Sequence, residues 1–399
     1  MLIKFKSMRQ PVQMAQGLKV LPHLMRVFAD WPYREVPKIG SAGALLNVMH
    51  NDGYYELEAP WLKKRLRFDD AADLAQGLAT HVARGWFSER PGLLWLEAAA
   101  ALFGDRIVVF VGGPRSGKSL LVASMAASGN PVFADSILPV QPERQQAISL
   151  GMAPRMKLPL PEAFPGPLRG QLESQIDSGG EGIGYLRPGN GNIAPFGETA
   201  RIRAFVMLDR SSSSAATLGP ASSGKILKRL LLNSFGEGMA AADLLDSIGQ
   251  VVGDTPCYRL SWSDPQEAVN ALRARFATWR TPLEENEVQA GSSSAKQLRR
   301  RSSGPRTPVG RRFRHRAGLT EHLVDADLFL VNPGGQTIYH LNGLGAGLWR
   351  LLDGTHGLED VVSVLKDAFP NIDSRSVEID VKNLVGDLTD RGLLIEKVS

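Results

Sequence analysis

Eight consecutive residues, Gly112-Gly113-Pro114-Arg115-Ser116-Gly117-Lys118-Ser119, satisfy the spacing G-x-x-x-x-G-K-[ST] at every fixed position. The chemistry this spacing permits is phosphate binding. Gly112, Gly113 and Gly117 allow backbone angles and a close approach that a Cβ would forbid. The loop amides and the positive end of a following helix can then face phosphate oxygens. Gly112, Gly113, Pro114, Arg115, Ser116, Gly117, Lys118, Ser119 and Leu120 are therefore the candidate cofactor-binding residues. Lys118 is placed to reach β- and γ-phosphates, and the Ser119 hydroxyl to hold Mg2+. The expected ligand is a nucleoside triphosphate.

Such a loop needs a strand before it and a helix after it. Arg106-Ile107-Val108-Val109-Phe110-Val111 is β-branched and aromatic and bounded by Gly104 and Gly112, which predicts a buried strand. Leu120 to Ser128 is rich in Leu, Ala and Met and stops at Gly129, which predicts a helix. Phosphoryl transfer also needs a carboxylate, as metal ligand or as base. Asp135 ends the next expected strand, Pro131-Val132-Phe133-Ala134-Asp135, at the carboxyl edge where ligands of such sheets bind. It is read as catalytic base or metal ligand. Asp209 ends another apolar run, Ile202 to Leu208, and reads equally as a metal carboxylate or a cap.

Composition bounds the rest. At 399 residues the chain is long enough for two or three domains. Its 43% hydrophobic and 22% charged residues are those of an ordinary globular protein. No apolar run approaches the roughly 20 residues that span a bilayer. The first residues, Met1-Leu2-Ile3-Lys4-Phe5-Lys6, lack the apolar core of a secretion signal. One cysteine, Cys257, excludes an internal disulfide and a Cys-based metal cluster. The expected location is the cytoplasm, with no membrane partner.

Four segments are expected along the chain. Residues 1–95 form a small α+β region, with a strand at Tyr54–Glu58 and an amphipathic helix at Ala71–Arg84. Residues 96–280 carry the phosphate loop, with a helix at Lys225–Leu232. Within them, 170–200 are rich in Gly, Ser and Pro and are expected as a lid or a disordered loop. Residues 281–312 are a basic linker, in which Lys296, Arg299, Arg300, Arg301, Arg306, Arg311 and Arg312 lie among Ser, Gly and Pro with no acid from 296 onward. It is read as a solvated tether, or as a patch for nucleic acid, an acidic peptide or a membrane surface. The basic run lacks stacking aromatics, which disfavours nucleic acid. Residues 313–399 form a compact module: strands Leu323–Val331 and Gln336–Leu341 around Asn332-Pro333-Gly334-Gly335, then helices Gly343–Leu352, Leu358–Phe369 and Ser376–Arg391 closed by Gly392.

Two resemblances join these residues. The loop, Ala134-Asp135, Pro154-Arg155-Met156-Lys157-Leu158, Leu186-Arg187-Pro188 and Leu232-Asn233-Ser234-Phe235 make residues 96–280 similar to the HPr kinase family, in particular its HPr-kinase-related group. That resemblance implies an α/β P-loop kinase fold, ATP and Mg2+, phosphorylation of a serine on a peptide or small protein, and a homo-oligomer. It implies that Asp135 is the base, assisted by Lys118, Lys157 and Arg187, with Ser119 and Asp135 as metal ligands. The family has a second acid where this chain has Ser136, and often a His where it has Glu97. Glu97 either replaces the missing charge or is simply solvated. An NTP-binding peptide chaperone without kinase activity is the alternative.

Residues 313–399 resemble PqqD-like peptide-recognition modules through Tyr339-His340-Leu341-Asn342, Leu348-Trp349-Arg350-Leu351-Leu352-Asp353-Gly354 and Leu388-Thr389-Asp390-Arg391-Gly392-Leu393-Leu394. This implies a winged-helix-like fold of three strands on three helices. The leader of a precursor peptide would add as a strand between a sheet edge and the last helix.

Overall fold

The computed structural model describes residues 1–15, 17–37, 43–160, 166–180, 182–187, 189, 191–210, 215–277, 311–368 and 373–397. Pro188 and the expected linker, apart from Arg311 and Arg312, lie outside the described residues. Two compact units are present, one of residues 1–239 with 246–282 and one of residues 240–245 with 283–399.

The first unit begins with β1 (Leu2–Phe5), β2 (Val12–Met14), α1 (Gly17–Val27), β3 (Tyr33–Val36), β4 (Leu46–Asn51), β5 (Tyr54–Glu58), β6 (Leu66–Phe68) and α2 (Ala71–Ser88). The six strands form one sheet in the order β3-β1-β2-β4-β5-β6. Asp70 caps α2 by accepting from the Ala72 and Asp73 amides. Phe5, Phe28, Trp31 and Trp86 are buried in an aromatic cluster that also takes in Phe196, whose ring stacks on Trp31 at 4.8 Å. The N-terminal residues thus share one core with the residues that follow.

Next come β7 (Leu94–Leu96), β8 (Ala99–Phe103), β9 (Arg106–Val111), α3 (Lys118–Ala127), β10 (Val132–Ala134), β11 (Leu138–Gln141), β12 (Gln146–Ile148) and β13 (Arg155–Lys157). They are followed by α4 (Gly166–Gln175), β14 (Ile176–Gly180), β15 (Ile183–Leu186), β16 (Thr199–Arg210) and β17 (Thr217–Pro220). After them come α5 (Ser223–Leu231), β18 (Phe235–Gly236), α6 (Ala241–Val252), whose first residues, to Leu245, belong to the second unit, β19 (Cys257–Trp262) and α7 (Pro265–Phe276). Ten of these strands make one sheet, in the order β10-β8-β9-β16-β12-β11-β7-β18, with β19 attached to β16 and β17 to β19.

At its centre β9, β16 and β19 run parallel. β9 is buried on both faces, as a β-branched run between covering helices requires. β8 lies antiparallel between β9 and β10. Two reversals leave β10 running the same way as β9, so the end of β10 and the loop after β9 share one sheet edge. Alanine favours helix, yet Ala99–Phe103 is a fully buried strand. Its small side chains let α3 pack closely on the sheet, which outweighs local propensity.

The Gly-rich stretch 170–200, expected as a lid or a disordered loop, carries regular structure among its described residues, which removes the disordered reading. It supplies part of α4, then β14 and β15, which pair with β13 as a three-stranded sheet.

The second unit holds β20 (Arg312–His315), β21 (Thr320–Val324), β22 (Asp327–Val331), β23 (Ile338–Leu341), α8 (Gly343–Leu351), α9 (Leu358–Ala368), α10 (Ser374–Asp390) and β24 (Leu394–Lys397). β21, β22 and β23 form an antiparallel sheet in that order, and β20 pairs with β24. The expected strand Leu323–Val331 is split at Asp325, which adopts φ 55° and turns the chain between β21 and β22. The second turn falls at Asn332–Gly335, where the Asn332 side chain accepts from the Gln336 and Thr337 amides. Gly392, at φ 67°, ends α10.

Trp349 anchors this core. It is fully buried, donates to Glu321 at 2.8 Å and stacks on His315 at 3.9 Å. Trp349→Ala should destabilise the second unit by about 3–5 kcal/mol, read as a fall in the denaturation midpoint. A change below about 1 kcal/mol would show that Trp349 is not the anchor.

Candidate functional site

The phosphate loop connects β9 to α3, as its flanking residues predicted. Gly117 takes φ 88° and Arg115 φ 65°, so the chain curls before the first turn of α3 and its amides converge there. The glycines are required by contact as well as by angle. A Cβ on Gly112 would stand 2.4 Å from Ser116 Oγ, and one on Gly117 would stand 2.6 Å from the Trp262 ring. Ser116 Oγ and Trp262 Nε1 are both buried without a hydrogen-bond partner. Unpaired buried polar atoms are costly, and both belong to residues packed against the loop glycines.

Lys118 opens α3 and folds back over the loop. Its ammonium donates to the Gly112 carbonyl at 2.8 Å and the Gly113 carbonyl at 3.4 Å. Burial lowers the Lys118 pKa; the charge of Glu97 opposes this, that of Arg229 adds to it, and that of Asp135 opposes it. A half-buried ammonium resting on carbonyls is poised to exchange them for phosphate oxygens.

Asp135, just beyond β10, faces the loop from the neighbouring strand end. The Arg155 amide donates to its Oδ2 at 3.1 Å, while Oδ1 is buried without a hydrogen-bond partner. Burial raises its pKa above the ordinary carboxylate range, against the Ser119 hydroxyl, the Arg155 amide and the charges of Lys118 and Arg155. Ser119 and Asp135 therefore stand together, with one carboxylate oxygen free. Ser136 is exposed and puts no second carboxylate there. Among the described residues no cluster of three His, Cys, Asp or Glu could cage a metal. Mg2+ held by one or two protein oxygens and by phosphate does not require such a cage. Loop and donor set thus fit a nucleotide with Mg2+.

Glu97 is half-buried and near Lys118 rather than simply solvated. Its amide donates to the buried Ser234 hydroxyl at 3.3 Å, which gives the Leu232–Phe235 segment a concrete task. The two other expected cations are both exposed. Lys157 is exposed on β13, two residues along the same strand face from Arg155. Arg187 is exposed and lines a cavity of about 430 Å3 with Ala126, Gly129, Pro131 and Asn192, at the far end of α3 from the loop. A ten-residue helix is about 15 Å long, so within this chain Arg187 does not join the loop. Asp209 ion-pairs with Arg259, which favours the structural over the metal reading.

Sequence reasoning missed Trp262 and Arg229. Each lies more than 100 residues from the loop and carries no motif of its own. The one local hint was Trp262 ending an apolar strand on the loop's edge of the sheet.

In the second unit, β21 and β23 are the edges of the three-stranded sheet and β22 is buried. Arg391, the residue that caps α10, lies with its guanidinium over the ring of Tyr339 on β23, at 5.8 Å. A half-buried edge strand beside a helix can accept one further strand through its main chain. No helix among the described residues is long and apolar enough to cross a membrane.

Residues 327–394 match the family model of coenzyme PQQ synthesis protein D, PqqD. The matched segment runs from β22 into β24 and makes this region PqqD-like. No curated protein matches the chain. Among solved structures, one titled "TbiB1 in Complex with the TbiA(beta) Leader Peptide" is 20% identical, covering 22% of this chain and 99% of that chain with a TM-score of 0.20.

Proposed function

We propose that this protein, with its PqqD-like C-terminal region, is an ATP- and Mg2+-dependent kinase that phosphorylates a serine of a precursor peptide during peptide natural-product maturation. The observation that carries the reading is the meeting of Lys118, Ser119 and Asp135 at a phosphate loop. Magnesium-bound ATP supplies the phosphoryl group. Lys118 leaves the Gly112 and Gly113 carbonyls and offsets charge on the phosphate oxygens. Ser119 and Asp135 are the side-chain oxygens available to Mg2+. Asp135 accepts the proton of the acceptor hydroxyl as the serine O–P bond forms, the bond to the leaving diphosphate breaks, and ADP departs. The second unit binds the leader segment along the β23 edge. The connecting residues raise the effective concentration of the acceptor serine near Asp135.

A base must be deprotonated to act. Because burial raises the pKa of Asp135, phosphorylation should fall on the acid side at a pH above the ordinary aspartate value of about 3.9. A pH–rate profile flat down to about pH 4 would remove Asp135 from the base role.

The decisive experiment is mass spectrometry of the precursor peptide after incubation with the protein, ATP and Mg2+. One added phosphate on a serine is the expected result. Nucleotide and peptide both bound without that addition would instead favour a nucleotide-dependent peptide chaperone, the reading that Ser136 motivates.

A further inference from the structure

Arg229 belongs to none of the motifs that led to the loop. In α5, Ile226, Leu227 and Leu230 are buried and Lys225 and Lys228 are exposed, while Arg229 is half-buried at the border between them. α5 packs on β9, the strand that delivers the loop. A Cβ on Gly113 would stand 2.5 Å from Arg229 Nη2 and 3.4 Å from its Cζ. The guanidinium therefore lies directly on the loop's second residue, in space that only glycine leaves open. The Gly113 carbonyl also receives the Lys118 ammonium, so two cations approach one backbone unit. Among the described residues no hydrogen bond or ion pair engages the Arg229 guanidinium.

Two half-buried like charges repel each other, and a polyanion between them removes that cost. A guanidinium fork matches two phosphate oxygens at once, which an ammonium cannot do. Lys118 marks where the β- and γ-phosphates lie, and Arg229 stands at Gly113, whose carbonyl the Lys118 ammonium also approaches. We propose that Arg229 is a second phosphate-binding cation that contacts the terminal phosphate and sets a preference for nucleoside triphosphates over diphosphates. The proposal rests on the reading of the loop as a nucleotide site and deepens it.

The test is calorimetric titration of the full chain with Mg2+ and either a non-hydrolysable ATP analogue or ADP, in wild type, Arg229→Ala and Arg229→Lys. The wild-type chain should prefer the triphosphate. Arg229→Ala should weaken triphosphate binding about tenfold or more while ADP affinity stays within about twofold, and Arg229→Lys should recover part of the loss. Retained ADP binding shows that the variant's loop is intact. Equal loss for both nucleotides, no loss for either, or a wild-type chain that binds the two equally overturns the role of Arg229. A wild-type chain that binds neither nucleotide overturns the nucleotide reading itself, and this proposal with it.

Discussion

On the proposed kinase reading, Lys118→Ala is expected to lower peptide phosphorylation by about a thousandfold or more and to leave the nucleotide-free protein at least as stable as before. The two halves of this result have different causes. The activity should fall because Lys118 is the ammonium that rests on the Gly112 and Gly113 carbonyls, while Arg229 meets the loop at Gly113 and on the proposed reading has a phosphate contact of its own. The stability is kept because Lys118 is held where burial disfavours its charge. A base whose folded pKa is lowered binds protons more weakly in the folded state than in the unfolded one. Folding therefore gains stability as pH rises from the lowered pKa toward the ordinary lysine value, and below that window the charged lysine costs stability. At neutral pH, removing it relieves this cost. Thermal unfolding without nucleotide, beside phosphopeptide mass spectrometry, checks both halves. Residual transfer above about a tenth of wild type would take Lys118 out of the phosphate site.

Removing residues 311–399 weakens precursor-peptide binding by about a hundredfold and leaves ATP binding within about twofold. The phosphate loop, Asp135, Glu97 and Arg229 all belong to the first unit, so nucleotide affinity has no reason to change. On the proposed reading, peptide affinity rests on main-chain hydrogen bonds along one sheet edge and on the side chains beside it, Tyr339 and Arg391 among them. Phosphorylation should persist at high peptide concentration, because the truncation removes binding and not chemistry. Fluorescence anisotropy of a labelled peptide measures the loss directly. Unchanged peptide affinity would place leader recognition elsewhere in the chain, and loss of ATP binding would show that the truncated chain is not folded.

How far the site could be read from sequence depended on how local each part is. The loop was legible because its requirements are consecutive: a strand, glycines where a Cβ would strike Ser116 or Trp262, a lysine, a hydroxyl, then a helix. Asp135 was legible for a similar reason, since it ends the first strand after that helix. How that strand reaches the loop was not legible, because β8 intervenes and only a double reversal returns Asp135 to the loop's edge. Ala99–Phe103 carried no strand signal of its own. Its conformation follows from two neighbours that need a paired strand and from a helix that needs small side chains beneath it.

The sequence by itself determined the phosphate loop, the acid beside it, and the order of turns and helices that makes residues 327–394 PqqD-like. These are patterns of adjacent or periodic residues, and local backbone geometry enforces them. Only the tertiary structure decided which distant charges meet the loop. Glu97 and Arg229 are drawn to Lys118 and Gly113 by the pairing of β7 with β18 and the packing of α5 on β9. Arg187, which the resemblance to HPr kinases suggested for the same place, lines a cavity at the other end of α3. Electrostatic interaction depends on separation in space, and spacing along the chain does not encode that separation once a sheet has been assembled from strands far apart in sequence.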